Sequence, residues 1–471
     1  MPNRDEPRLS DLLPVPPEPG SVPALRAEEP QPRRYAGERR RQENTIVVKL
    51  RTPPARAVRA LRTVAVASPA ALAVTVAAAM PPALAQLIET GRVRQAVPVL
   101  PTTEIDVSSP HRALAAVYAA LPRRAAAGLV VLSVDPGTNA EEAAAYLHRQ
   151  EGIEYAFVPP VKRLFMPARR QRRRAARRVG PDPLASRQWA HGAVHIFEAR
   201  AHAGFKDATD VIVAVVDTGI DRQHPDLRNS IHSFTNYVSA ESDKDLVGHG
   251  THVSGIIAAG RDNAVGVAGL CAAKIMAVKA LPAKDRNFDA KAYYRALNHP
   301  IEHGAHVLNL SLGGEIDPAE RDIIEDVLAA GIVVVAAVGN EYEEGNPTEY
   351  PAAYAGVIGV GASDEMDRRA SFSNTGPQVA LLAPGVAILS TTPHYPSLDA
   401  QHLLYDSWPG TSMATPHVAA AAALLLAERP GLKPAEVKRV LTSSADRVPG
   451  QHGRRDDAHG SGRLNIAEAL Y

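Results

Sequence analysis

One cysteine, Cys271, stands in 471 residues. That excludes an intramolecular disulfide and leaves the fold to its core, with a metal ion as the only other brace. Net charge is also missing, since 52 Lys and Arg against 51 Asp and Glu give +1 at pH 7, which argues against an all-over electrostatic partner such as nucleic acid. The opening MPNRDEPRLSDLLPVPPEPG has no apolar run of the kind that begins a secretory signal. A stretch from Arg56 to Gln86 imitates one, with a basic lead, an apolar middle and an Ala83-Leu84-Ala85 end. Pro69, Pro81 and Pro82 interrupt it, and its alanines are weak membrane anchors. Soluble helix and loop are expected there, with no membrane partner. The compartment stays open between the cytoplasm and export from a different start site.

What is present suggests two or three domains. Residues 1–44 are rich in Pro, Glu and Arg and read as a disordered tail. Residues 45–166 read as a small α+β domain. In it NTIVVKL forms a first strand, GLVVLSV another, an Asn139 cap opens an amphipathic helix, and IEYAFV closes the unit. Residues 51–120 yield no firm assignment. Residues 167–181 are a linker carrying seven arginines between 169 and 178. A nucleic-acid patch is the alternative reading of that run, but a single run in a nearly neutral chain is more simply an exposed, protease-accessible connection.

Residues 182–471 alternate strands and helices. VIVAVV, HVLNL, IVVVAAV, VIGVG and QVALL are short and apolar through most of their length, as strands covered on both faces are. PAERDIIEDVLAAG places Ile323, Ile324, Val327 and Leu328 on one helix face and stops at Gly331. The expected fold class is α/β, a mostly parallel sheet sandwiched by helices, preceded by the small α+β domain. In such sheets chemistry sits beyond the carboxyl ends of the strands.

Four polar residues fall at such places. Asp217 ends VIVAVV, Asn340 follows IVVVAAV and Gly339, Ser412 opens a helix rich in alanine and leucine, and His249 stands where a glycine-flanked loop turns into a small-residue helix. Singly, each has a structural explanation as a cap, a turn former or a satisfied histidine. Together they supply what acyl transfer needs. A serine hydroxyl requires a base to take its proton, and a histidine can do so near neutral pH. A carboxylate orients the ring, and an amide with a backbone N–H meets the oxyanion. His249 and His252 are three residues apart without a His-Glu-x-x-His pattern, which argues against zinc.

VAVVDTGIDRQHPDL, GHGTHVSGIIAA, LNLSLGG, AAVGNE and GTSMATPHVAAAAALLL, in that order, resemble the subtilisin-like serine proteases. The likeness runs from about Asp182 to Leu470. It implies a serine endopeptidase acting through an acyl-enzyme, with Ser412 as nucleophile, His249 as general base, Asp217 as orienting acid, and Asn340 in the oxyanion hole. His252 is then a structural neighbour. The likeness also implies that polypeptide substrates lie as an added strand along Ser311, Leu312, Gly313 and Gly314. Glu341 would stand at the mouth of the primary pocket and Glu349 near its base, favouring Lys or Arg before the cut. It implies structural calcium held by Asp182, Asp226 and Asn263, with no cofactor needed for the chemistry.

Residues 128–165 resemble the end of the propeptide domain of such enzymes, an inhibitor and folding template that leaves its last strand in the active site. A zymogen acting as a monomer, with its own propeptide as partner, is the expectation. The alternative is a catalytically silent peptide-binding scaffold of the same fold. Departures from the family pattern are Cys271 with Ala272, Ser254, and Pro300, where a kink in its helix is expected.

Overall fold

The computed structural model describes residues 41–51, 81–99, 126–165, 182–284 and 288–471. Nearly all of the tail assigned to 1–44, most of the alanine-rich segment and the arginine run lie outside these residues.

The first body is a four-stranded antiparallel sheet in the order β2-β3-β1-β4, with β1 Thr45–Leu50, β2 Val93–Pro98, β3 Leu129–Val134 and β4 Ile153–Phe157. Two helices cover one face, α1 Pro82–Glu89 and α2 Ala140–His148. Asn139 caps α2 by accepting the Glu142 N–H. α1 begins on Pro82, whose missing N–H costs nothing at a helix start. Side chains alternate across β1. Ile46, Val48 and Leu50 pack under the helices with Leu84, Leu87 and Leu147, whereas Val47 and Lys49 point to the second body. The end of the alanine-rich segment is thus an ordinary packed helix. Among the described residues no helix is long and apolar enough to cross a membrane.

β5 Arg163–Leu164 leaves this body and pairs antiparallel with β10 Leu312–Gly313 of the second. The second body is built on a seven-stranded parallel sheet in the order β13-β12-β11-β9-β6-β8-β7. Its strands are β6 Ile212–Asp217, β7 Ile231–Asn236, β8 Lys274–Lys279, β9 Val307–Leu310, β11 Val333–Ala337, β12 Ile358–Ser363 and β13 Val379–Pro384. All five strands expected from apolar runs are present. β7, IHSFTN, is an edge strand only partly buried, so it carries no apolar run to read.

Three short helical segments open this body, a 3₁₀ turn at Ala185–Arg187 and then α3 Trp189–Ala193 and α4 Ile196–Ala201. The helices of the layers are α5 His249–Ala258, α6 Ala290–Glu302, α7 Pro318–Ala329, α8 Thr411–Glu428 and α9 Pro434–Ser443, and α10 Ile466–Leu470 closes the chain. α8 is buried on every side through Leu425, which explains its unbroken alanine and leucine. Pro300 falls in the last turn of α6, which ends at Glu302, so it acts at the terminus instead of breaking the helix midway. Cys271 is buried, and burial pushes its thiol up to about 12, which makes it inert packing.

The chain leaves β6 toward β8 and β7 on one side and toward β9, β11, β12 and β13 on the other. β6 is therefore the point where the order reverses, and the crevice at its carboxyl end is where an α/β sheet places a ligand site. Asp217 is its last residue.

Candidate active site

Two of the four polar residues, Asp217 and His249, are tied together at that crevice, while Ser412 and Asn340 bond to other partners. Asp217 ends β6 fully buried, with the Thr218 N–H donating to Oδ1 at 2.7 Å. His249 begins α5, and its Nδ1 lies 2.8 Å from Asp217 Oδ1 and 3.0 Å from Oδ2. Burial alone would depress the imidazole pKa, but the adjacent Asp217 carboxylate outweighs it, and the net shift is upward. With Nδ1–H committed to Asp217, Nε2 is left buried and without a partner.

The start of α5 is held by Asp245, a residue the sequence did not single out. Asp245 Oδ1 accepts the Gly248 N–H at 2.8 Å and the Thr218 hydroxyl at 2.8 Å. Its Oδ2 accepts the Thr251 N–H at 2.9 Å and the Thr251 hydroxyl at 2.7 Å. A carboxylate at a helix N-terminus meets free N–H groups and the positive end of the dipole. The signal was available as an aspartate just before a helix start.

His252 behaves differently. Its ring stacks on Trp408 at 4.5 Å and Nε2–H donates to the Asp406 carbonyl at 3.2 Å. Burial lowers its pKa to about 3, so it stays neutral and serves packing.

Ser412 is the second residue of α8. The turn before it needs Gly410, at φ +144, where a Cβ would come within 3.4 Å of Asn340 Nδ2. The Ser412 hydroxyl donates to the Ser311 carbonyl at 2.9 Å, and the Ser311 hydroxyl returns a bond to the Ser412 carbonyl at 2.9 Å. Asn340 follows β11. Its Oδ1 accepts the Thr411 N–H at 2.9 Å and the Thr411 hydroxyl at 3.0 Å. Those bonds turn Nδ2 away from Thr411, and it is buried without an acceptor. The Ser412 N–H, in the first helical turn, has no intrahelical acceptor either. Two donors and one base therefore face inward with nothing to bind in their own body.

What enters the crevice is residues 162–165. Arg163 pairs with Gly313 and Leu164 with Leu312. Phe165, 2 % exposed, brings its ring against Gly313, where a Cβ would stand 2.3 Å from Cζ. Its carbonyl oxygen lies within 3.3 Å of the position a Gly410 Cβ would take, the same point that Asn340 Nδ2 approaches. The expectation of a basic residue before the cut rested on Glu341 and Glu349, and here those carboxylates meet a different residue. Arg163 reaches Glu349 Oε1 at 2.9 Å and Glu341 Oε1 at 3.6 Å. Arg163 and Phe165 share one face of an extended strand, so the longer Arg arrives from two residues upstream. Burial raises the Glu341 carboxyl to about 7, with Glu349 adding to the rise.

Asp182, Asp226 and Asn263 also converge, at the loop 261–267. Asp182 accepts the Asp262 and Asn263 N–H groups at 2.9 and 3.0 Å. Asp226 accepts the Asn263 amide at 2.8 Å and the Val267 N–H at 3.0 Å. Both carboxylates are buried, and burial lifts Asp226 to about 6 with Asp182 adding to the rise. Among the described residues neither is in an ion pair with a Lys or Arg. Two close buried acids suit a hard cation. Asn263, however, gives its amide nitrogen to Asp226 and its Oδ1 accepts the Val265 N–H at 2.7 Å, so the amide oxygen expected as a ligand is already taken.

A serine at a helix start, an imidazole held by a carboxylate and a buried, unpartnered amide at the carboxyl end of a parallel sheet fit a serine hydrolase of the α/β class. The sequence model described as the Subtilase family matches residues 208–462, and the chain belongs to that family. It is 40 % identical over 275 residues to Subtilisin DY of Bacillus licheniformis, covering 56 % of this chain and 92 % of that protein. It is 41 % identical over 244 residues to a thermophilic serine proteinase of Bacillus sp. (strain AK1), covering 50 % and 57 %. The fold is similar to that of fervidolysin from Fervidobacterium pennivorans, with a TM-score of 0.68 at 22 % identity, covering 96 % of this chain and 64 % of that one. The protein is a serine endopeptidase, acting on polypeptides.

Proposed function

We propose that Asp217, His249 and Ser412 form the catalytic triad and that the enzyme works through an acyl-enzyme intermediate. The Ser412 hydroxyl turns from the Ser311 carbonyl to His249 Nε2, gives up its proton there, and attacks the substrate carbonyl carbon. Asn340 Nδ2 and the Ser412 N–H hold the oxyanion. Collapse breaks the C–N bond, and His249 returns the proton to the departing amine. Water then attacks the ester with His249 as base, releasing the acid and restoring the serine. The observation that carries this reading is the pair of buried, unpartnered groups, His249 Nε2 and Asn340 Nδ2. Polar atoms left so are costly unless a ligand satisfies them.

The segment Ser311 to Gly314 is the edge along which the substrate lies. By this reading residues 45–166 are an inhibitory propeptide, 167–181 a linker and 182–471 the mature enzyme, with the first cut after Phe165. Substrates are then expected to carry an aromatic residue before the cut and a basic one two places earlier, at Glu349 and Glu341.

The test of the base is a pH profile. His249 must be neutral to accept a proton, so kcat/KM rises with pH along a limb whose midpoint lies above the ordinary imidazole value. Fluorophosphonate labelling of Ser412 follows the same limb. Labelling independent of pH between about 5 and 9 would remove His249 from the role.

Asp182 and Asp226 are read as holding a structural calcium ion, with Asn263 orienting the Asp226 carboxylate. Chelation is expected to lower Tm by about 5–10 °C while kcat at low temperature stays the same. A melting curve that chelator does not move removes the calcium.

A further inference from the structure

Lys162 is the least expected occupant of the groove. Lysine side chains are almost never fully buried, yet this one and its partner Glu320 are both 0 % exposed. Lys162 Nζ donates to Glu320 Oε2 at 2.8 Å and to the Glu315 carbonyl at 3.0 Å. Neither acceptor belongs to the body that carries Lys162. Both come from the loop and helix that follow β10, at the far end of the strand-pairing edge.

The pocket is built to keep that carboxylate in place. Glu320 sits in the first turn of α7, and its second oxygen is taken by the Tyr293 hydroxyl. Asp317 caps the same turn, accepting the Ala319 and Glu320 N–H groups at 2.9 and 3.0 Å and the Tyr294 hydroxyl at 2.7 Å. Gly314 is the floor, where a Cβ would be 3.0 Å from Lys162 Cδ. All these groups stay behind when the N-terminal strand leaves. What remains is a narrow slot ending in a carboxylate with one oxygen uncommitted, which a bare apolar side chain would bury without compensation.

We propose that Glu320 forms a lysine-selecting subsite of the protease, taking the side chain three residues before the one whose carbonyl faces Asn340. The inference rests on the endopeptidase reading above and adds a determinant of substrate choice to it. The slot presents two acceptors to a point charge and is lined by a glycine and two tyrosine-anchored acids. An ammonium fits it, whereas a planar guanidinium with five donors would leave several unpaired. Substrates should therefore rank Lys above Arg and both above Leu at this place.

The test compares internally quenched peptides built on Val-Lys-Arg-Leu-Phe-Met-Pro, with Lys, Arg or Leu at the second position, cut by the full chain. Its own strand competes equally with each peptide, so ratios of kcat/KM are unaffected. The wild type should prefer Lys over Leu by about 30-fold or more, because a buried charge loses its partner in the Leu peptide. Glu320→Leu should reverse that order, and Glu320→Gln should flatten it while cutting at the same bond. Cleavage of the Lys and Leu peptides within about twofold of each other by the wild type overturns the subsite, whether or not the variants fold. If no peptide is cut, the triad mechanism proposed above fails, and the subsite is judged by binding instead. Equal displacement of fluorescent Lys peptide by unlabelled Lys and Leu peptides overturns it, and preferential displacement by Lys supports it.

Discussion

Ser412→Ala is expected to lower kcat by about 10⁴–10⁶-fold and to abolish fluorophosphonate labelling. The hydroxyl that donates to the Ser311 carbonyl is the atom proposed to form the ester, and alanine offers no substitute. The loss should come without unfolding, because Ser412 stands in the first turn of a helix buried through Leu425 and alanine suits that position. The junction after Phe165 should stay uncut in this variant, so the full-length chain accumulates. His249→Ala should fall by a similar amount, and the double variant little further, because the two act as one unit. A Ser412→Ala protein that cuts as fast as the wild type would leave a peptide-binding scaffold with a contaminating hydrolase.

Asn340 has the next largest expected effect. Asn340→Ala removes the amide donor and should cost about 10²–10³ in kcat with KM nearly unchanged, since the donor meets charge that exists only in the transition state. The alanine variant also loses the Oδ1 cap on Thr411, so a second variant separates the two roles. Asn340→Asp keeps an oxygen for the Thr411 N–H and hydroxyl but turns an acceptor toward the oxyanion. It should be at least as slow as the alanine variant while melting near the wild type. Recovery of most activity in Asn340→Asp would mean that the residue acts by capping α8, and the oxyanion role would fall.

Much of the site was legible because its parts are local. Asp217 reads from the end of an apolar strand, Ser412 from the start of a small-residue helix, and Asn340 from a strand followed by glycine. Each depends on a short stretch whose periodicity and turn residues are written in neighbouring positions. Asp245 was legible in principle and missed, since an acid before a helix resembles any polar loop residue. β7 could not be read at all, because an edge strand with a half-exposed pattern gives no apolar run. The two glutamates were found, but the residue that meets them in the folded chain is Arg163, two places before Phe165. Only the β5–β10 register brings Arg163 opposite Gly313.

The order of strands and helices, the caps, and the placement of Asp217, His249, Asn340 and Ser412 at the ends of their elements are properties of contiguous sequence, and the chain alone determined them. Which side chains fill the crevice was decided by tertiary structure. Lys162 and Glu320 stand 158 residues apart, and the strand that joins them is two residues long. So short a strand has no period to read, and its partner, register and buried charge exist only once both bodies have folded against each other.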